Sequence, residues 1–127
     1  MDADKGDCYG LSEAIVGAAF AVSNGLGAGF AENVQENCLA LGLRDAGLEV
    51  RQQFDIAVHY KGRVVGSFAA DLLVEDSILV ELNVARALER VHAAQCVNYL
   101  QATRLRLCLL LNFGNPRVEV RRLVNGL

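Results

Sequence analysis

The sequence predicts an α/β sandwich in which a central mixed sheet is flanked by helices. Three observations predict it. Between residues 71 and 84, Leu72, Val74, Ile78, Val80, Leu82 and Val84 alternate with Asp71, Leu73, Leu79, Glu81 and Asn83, the period of two expected of paired strands with one face on a core. Leu105 to Phe113 is a nearly continuous apolar run, of the kind buried on both faces as an inner strand. Arg86 to Ala102 between them has helical character, so a strand meander is followed by a crossover helix and another strand.

Leu11 to Val22 reads as a first helix, with Ser12 as its cap, Glu13 in its first turn and Asn24-Gly25 at its end. The glycines at 25, 27 and 29 make a flexible connection. They do not form a phosphate cradle, because no strand precedes them and no Gly-Lys-Ser follows. A second helix covers Ala31 to Ala46, with Phe30, Val34, Cys38 and Leu41 as its apolar stripe and Gly47 at its end, while Glu32 and Glu36 project from another side. Gln53 to Tyr60 is a strand, Lys61-Gly62-Arg63 a turn, and Val64 to Val74 the antiparallel partner; Ile78 to Ala85 completes the meander. Gly114-Asn115-Pro116 ends the inner strand, and Arg117 to Val124 alternates as a short edge strand.

The hairpin register follows from the same alternation. With Glu75, Asp76 and Ser77 as a three-residue loop, Val74 faces Ile78, Leu72 faces Val80, and Asp71 falls opposite Glu81 with the apolar partners on one side. A two-residue loop at Glu75-Asp76 would put Asp71 on the apolar side, where an unpaired carboxylate is costly.

The 127 residues suit one domain with its core from about Leu11 to Val124, and 53% hydrophobic content with one proline argues against disorder. No apolar run approaches the roughly 18 residues of a membrane span, and the acidic Met1-Asp2-Ala3-Asp4 start lacks a signal peptide's basic end, so a cytoplasmic location is expected. Cys8, Cys38, Cys96 and Cys108 are widely spaced with no CxxC, as expected of reduced thiols. The net charge of −3 speaks against non-specific coating of nucleic acid by charge alone. Arg86, Arg90, Arg104, Arg106, Arg117, Arg121 and Arg122 nonetheless all lie in the second half, whereas Asp2, Asp4, Asp7 and Glu13 crowd the start.

Gly29-Phe30-Ala31-Glu32, His59-Tyr60-Lys61-Gly62, Asp71-Leu72-Leu73-Val74-Glu75, Val80-Glu81-Leu82, His92-Ala93-Ala94-Gln95 with Tyr99, and Leu111-Asn112-Phe113-Gly114 together carry a resemblance. From about Leu11 to Val124 the chain resembles the GxxExxY protein family, a small branch of the PD-(D/E)XK nuclease superfamily. The resemblance implies a restriction-endonuclease-like core and an ancestral chemistry of phosphodiester cleavage on DNA or RNA. That chemistry needs a hard divalent cation, Mg2+ or Mn2+, held by one or two carboxylates with waters completing the shell. Asp71 and Glu81 suffice as its ligands, the Leu82 carbonyl adds a further oxygen, and the resemblance adds Glu32.

On the helix after the sheet, at about 100° per residue, His92, Gln95 and Tyr99 fall in one narrow stripe, with Ala93, Val97 and Leu100 marking a different, apolar one. Gln95 and Tyr99 resemble the Gln-x-x-x-Tyr element of RecB-like nucleases, which lies beside the metals and contacts substrate phosphate or groups around the metal. His92 on this face would donate to a phosphate or cap a neighbouring carboxylate.

Two positions depart from the family pattern. Gln35 stands where the family's tyrosine would be, and Asn83 replaces the lysine of Glu-x-Lys. That lysine would project from the same sheet face as Glu81, about 7 Å along the strand, to orient the attacking water and stabilise transition-state charge. Two readings follow: a catalytically impaired protein of nuclease fold that retains an acidic metal site and binds nucleic acid or another partner, or an active Mg2+-dependent nuclease in which a relocated cation, Lys61 or Arg86, replaces the lysine or Asn83 itself suffices. No aromatic stacking platform or groove-reading helix stands out, so the nucleic-acid class is open. The C-terminal edge strand is a candidate for pairing across a homodimer axis.

Overall fold

The alternation around the acidic pair is realised in the register it predicts. In the computed structural model, which describes residues 3–125, Glu75, Asp76 and Ser77 connect β2 (Arg63–Val74) to β3 (Ile78–Asn83), pairing Val74 with Ile78 and Leu72 with Val80. Glu75 and Asp76 supply the turn without glycine by adopting left-handed φ of 53° and 54°, and Ser77 Oγ donates to the Glu75 carbonyl at 2.8 Å. Met1 and Asp2 of the acidic start lie outside the described residues.

β1 (Val50–Tyr60) pairs antiparallel with β2, β3 pairs parallel with β4 (Leu107–Asn112), and β4 pairs antiparallel with β5 (Glu119–Val124). The five-stranded sheet has the order β1-β2-β3-β4-β5, which places the strands of Asp71 and Glu81 inside it. A parallel pair requires a crossover, here α3 (Arg90–Thr103), while α1 (Ala3–Leu26) and α2 (Glu32–Asp45) precede the sheet. One face of the sheet, with Leu72, Val80, Leu82 and Leu109, packs beneath Ile15 and Ala19 of α1 and Leu39 and Leu43 of α2. The opposite face, with Ala70, Leu73, Leu79 and Leu110, packs beneath Cys96, Tyr99 and Leu100 of α3. Two apolar layers on one sheet explain why β4 reads as an uninterrupted hydrophobic run.

The helices differ from the sequence expectation in phase and extent. α1 already includes Ser12, which is buried mid-helix and accepts from Arg122 Nε (3.3 Å) instead of capping; Arg122 also pairs with Glu13 at 2.8 Å, tying α1 to β5. The helix passes through Asn24-Gly25 and stops only at Gly27, whose φ of 92° and N–H bond to Ser23 O (3.1 Å) form the left-handed ending. In α2 the expected apolar stripe is rotated out. Phe30 and Leu41 are 45% and 62% exposed, and the buried face is Gln35, Glu36, Leu39, Ala40 and Leu43. Two polar residues on the inner face, Gln35 and Glu36, mislead a reading by hydrophobic periodicity, and Glu36 meets Gln52 and Gln53 of β1. In α3 the buried side is Cys96, Tyr99 and Leu100, with Val97 turned outward. All four cysteines are free, Cys96 and Cys108 fully buried.

Candidate functional site

β2 and β3 share a backbone ladder only from Leu72 to Val74 and from Ile78 to Val80; beyond it the strands part, and Asp71 and Glu81 stand at the fork. Their carboxylates take over the missing ladder. Asp71 N–H donates to Glu81 Oε1 (2.9 Å), and Leu82 N–H donates to Asp71 Oδ2 (2.8 Å). The opposition predicted from sequence is present, made through side chains. Phe113 N–H donates to the Asn83 carbonyl (2.8 Å), so the backbone of Asn83 faces β4 and, by strand alternation, that of Leu82 faces the fork.

The sheet is locally rolled here. Ala70 and Leu73 contribute to the layer under α3, whereas Leu72 and Val74 contribute to the layer under α1 and α2. Regular alternation would put Ala70 with Leu72, so the chain switches face at Asp71. On β1 the residue opposite, Gln53, takes a left-handed φ of 51° and drops out of the ladder between the pairs Gln52–Leu72 and Phe54–Ala70. A glutamine held in this conformation is strained by roughly 1 kcal/mol or more. Its side chain explains the position: Gln53 Nε2 donates to both Asp71 Oδ1 (3.2 Å) and Glu36 Oε1 (2.6 Å), bridging β2 to α2. Gln52 Nε2 donates to Glu36 Oε2 (2.8 Å), so Glu36 is buried with both oxygens engaged.

Electrostatics at the fork are unbalanced. Burial first, then the neighbouring Asp71 charge, pushes the Glu81 carboxyl up to about 9, with Cys96 and Glu32 adding to the rise. Asp71 is also raised by burial, against the lowering effect of the Leu82 N–H and Gln53. Among the described residues neither carboxylate has an ion-pair partner. Two adjacent, poorly solvated carboxylates without a cation strongly favour any added positive charge. Their donor set is all oxygen, which suits Mg2+ or Mn2+. Glu32 is exposed at the start of α2, near enough for its charge to act on Glu81, but among the described residues no three His, Cys, Asp or Glu side chains converge as a metal cluster.

The stripe on α3 divides. Tyr99 is buried beneath the sheet face, its hydroxyl accepting from Gln95 Nε2 at 2.7 Å. Burial, followed by the Glu81 charge, raises that hydroxyl to about 12, so Tyr99 stays a proton donor beside the carboxylates. His92 has a different task. Its Nδ1 accepts from the Glu89 N–H at 2.9 Å while its own N–H is capped by the Glu89 side chain, closing the first turn of α3. The structure also supplies an aromatic that the sequence reading passed over: Phe68, 46% exposed, lies against the Tyr99 ring with centroids 5.5 Å apart.

The model of the PD-(D/E)XK nuclease superfamily matches residues 9–123. This chain belongs to that superfamily. Among solved structures it is similar to one titled "Crystal structure of SSO0001", with a TM-score of 0.55 and 15% identity over 75% of this chain. The match spans 50% of that protein, a likeness of fold. The comparison with curated proteins finds no match.

Asn83 occupies the last position of β3, two residues past Glu81. Asn83 is partly exposed, and its side chain makes no hydrogen bond among the described residues. Lys61 sits at the β1–β2 turn, its Nζ 5.5 Å from the Tyr60 ring centroid and ten residues from Asp71, about 30 Å along a strand. It lies far from the fork. Arg86 is exposed, its carbonyl accepting from Asn115 Nδ2 at 2.8 Å. The fully buried Asn112 amide receives Ala85 N–H (3.0 Å) and donates to Ala85 O (2.9 Å), holding the segment that leaves β3. Gly114 packs so closely that a Cβ there would lie 2.0 Å from Ala85 O.

Sequence reading missed Glu36 and Gln53 as supports of Asp71. The available signals were a second glutamate one helical turn after Glu32 and a Gln52-Gln53 pair beside the strand. Gln35 is fully buried and donates to Gly27 O at 3.2 Å, joining α2 to the glycine-rich connection.

Proposed function

We propose that this chain is a nuclease-fold protein of the GxxExxY branch that holds Mg2+ or Mn2+ through Asp71 and Glu81 and engages DNA or RNA, with phosphodiester hydrolysis impaired by Asn83. The observation that carries the reading is the fork: two partly buried carboxylates side by side, both raised in pKa, with no cationic side chain paired to either. The Leu82 carbonyl, on the same edge as the N–H that meets Asp71, supplies a third oxygen. A bound divalent cation would polarise a phosphate oxygen and lower the pKa of a water.

The protein groups around it have separable tasks. Gln53, fixed by Glu36, holds Asp71 in orientation; Tyr99, fixed by Gln95, keeps a hydroxyl proton available to a phosphate oxygen. Glu32 contributes negative charge, and His92 secures the start of α3. Asn83 keeps the direction of the missing lysine but not its charge, and losing one preorganised electrostatic contact typically costs roughly a hundredfold or more in rate.

Calorimetric titration with Mn2+ tests the metal half of this reading. The intact chain is expected to bind, and Asp71→Ala is expected to abolish the heat while leaving the circular dichroism spectrum intact. An intact chain that binds no Mn2+ would sink the proposal.

A further inference from the structure

A cleft of about 660 Å³ opens between the β1–β2 hairpin and α3, lined in part by Phe68, His59, Asn98, Gln101 and Arg104. Phe68 stands three residues from Asp71 on β2, about 10 Å along the strand, and its ring touches that of Tyr99. Phe68 thus puts one wall of the cleft about 10 Å along β2 from the acidic fork. Although the chain carries a net charge of −3, no acidic side chain lines the cleft, and Arg104 and His59 do.

Arg104 is the less expected residue. It ends α3 with a left-handed φ of 63°, its N–H bonded to Leu100 O at 2.8 Å, the position where glycine usually closes a helix. An arginine there costs stability, and no ion pair among the described residues compensates it. The position makes Arg104 part of the lining of a cleft that Phe68 also lines. That pairing fits a phosphate joined to a base.

We propose that this cleft seats a single-stranded nucleic acid, with one base stacked on Phe68 and an adjoining phosphate against Arg104, leading the strand to the Asp71–Glu81 fork. The proposal rests on the nucleic-acid reading of that fork and specifies its ligand. A single strand is favoured over a duplex because Phe68 lies inside a cleft bounded by a hairpin and a helix. A base must leave its stack to reach it, which a duplex resists and a single strand does not. Asn98 and Gln101, both exposed on α3, present amides to the edges of a base without demanding one sequence.

The test is fluorescence anisotropy with a labelled 12-nucleotide single strand, as DNA and as RNA, and with the matching duplexes, in the presence of Ca2+ to prevent cleavage. The intact chain is expected to bind a single strand at least tenfold more tightly than the duplex. Phe68→Leu, which preserves the apolar contact with Tyr99, should weaken binding by roughly tenfold, and Phe68→Trp should restore it. Arg104→Gln should reduce the slope of log affinity against log salt by about 0.7, one phosphate contact on a single strand. Mn2+ titration of the same Phe68→Leu protein should match the intact chain. Duplex binding as tight as single-strand binding, or binding indifferent to both substitutions, overturns the cleft while leaving the metal fork standing. No binding of any nucleic acid by a chain that takes up Mn2+ overturns the cleft together with the nucleic-acid part of the proposed function.

Discussion

Glu81 concentrates the tension of the site in one side chain. Its carboxyl, ordinarily near 4.5, is pushed up to about 9 by burial and by Asp71, so the folded chain holds a proton that the unfolded chain has already lost. Stability from this difference is complete below the unfolded value and is lost as pH rises through the folded one. The metal-free chain is therefore expected to show a melting temperature that falls between pH 4.5 and pH 9, and Glu81→Gln should flatten most of that decline. Thermal unfolding followed by circular dichroism across this range checks it; a Glu81→Gln profile parallel to that of the intact chain would contradict the electrostatic assignment. Added Mn2+ should reverse the trend, since a cation takes the carboxylate form and releases the proton.

At the scale of elements, the decisive event is the parting of β2 and β3. A sheet that stayed zipped through Asp71 and Glu81 would consume the backbone groups that the fork leaves to carboxylates. Holding the fork open falls to β1 and α2, through the strained Gln53 and the buried Glu36. Gln53→Ala is accordingly expected to lower Mn2+ affinity by about 10–100-fold with little change in the fold, measured by calorimetry beside circular dichroism. Unchanged affinity would show that the bridge orients nothing. These supports were the least legible part of the chain. The hairpin register was readable because Leu72, Val74, Ile78 and Val80 alternate on one face, and a slip of one residue would bury a carboxylate. The inner face of α2 was not, because Gln35 and Glu36 occupy positions where burial usually selects apolar residues, so the pattern pointed to Phe30 and Leu41 instead. Local rolling at Asp71 and Gln53 has no periodic signature, since it is set by contacts between β1, β2 and α2.

For the whole molecule, the two-layer sandwich and the superfamily assignment agree with what strand order and motif spacing predicted. No helix among the described residues is long and apolar enough to cross a membrane. The opposition of Asp71 and Glu81 was legible because the alternation of the two strands sets their register. The capping contact of His92 was not legible, because helical phase alone does not show that the residue lies in the first turn, where its ring meets the Glu89 N–H. Phe68 was hidden because an aromatic in a strand reads as core until the fold shows it exposed beside Tyr99. Under the proposed function, the Asp71–Glu81 fork is the acidic part of the site, and Lys61 is remote from it at the hairpin tip.

The most direct measurement is metal-dependent cleavage of mixed single- and double-stranded DNA and RNA by the intact chain, by Asn83→Lys and by Asp71→Ala as the blank, in Mg2+ and in Mn2+. The expected result is cleavage by Asn83→Lys at least about a hundredfold faster than by the intact chain, with Asp71→Ala silent. Efficient cleavage by the intact chain that disappears in Asp71→Ala and does not increase in Asn83→Lys would contradict the claim that Asn83 impairs this site.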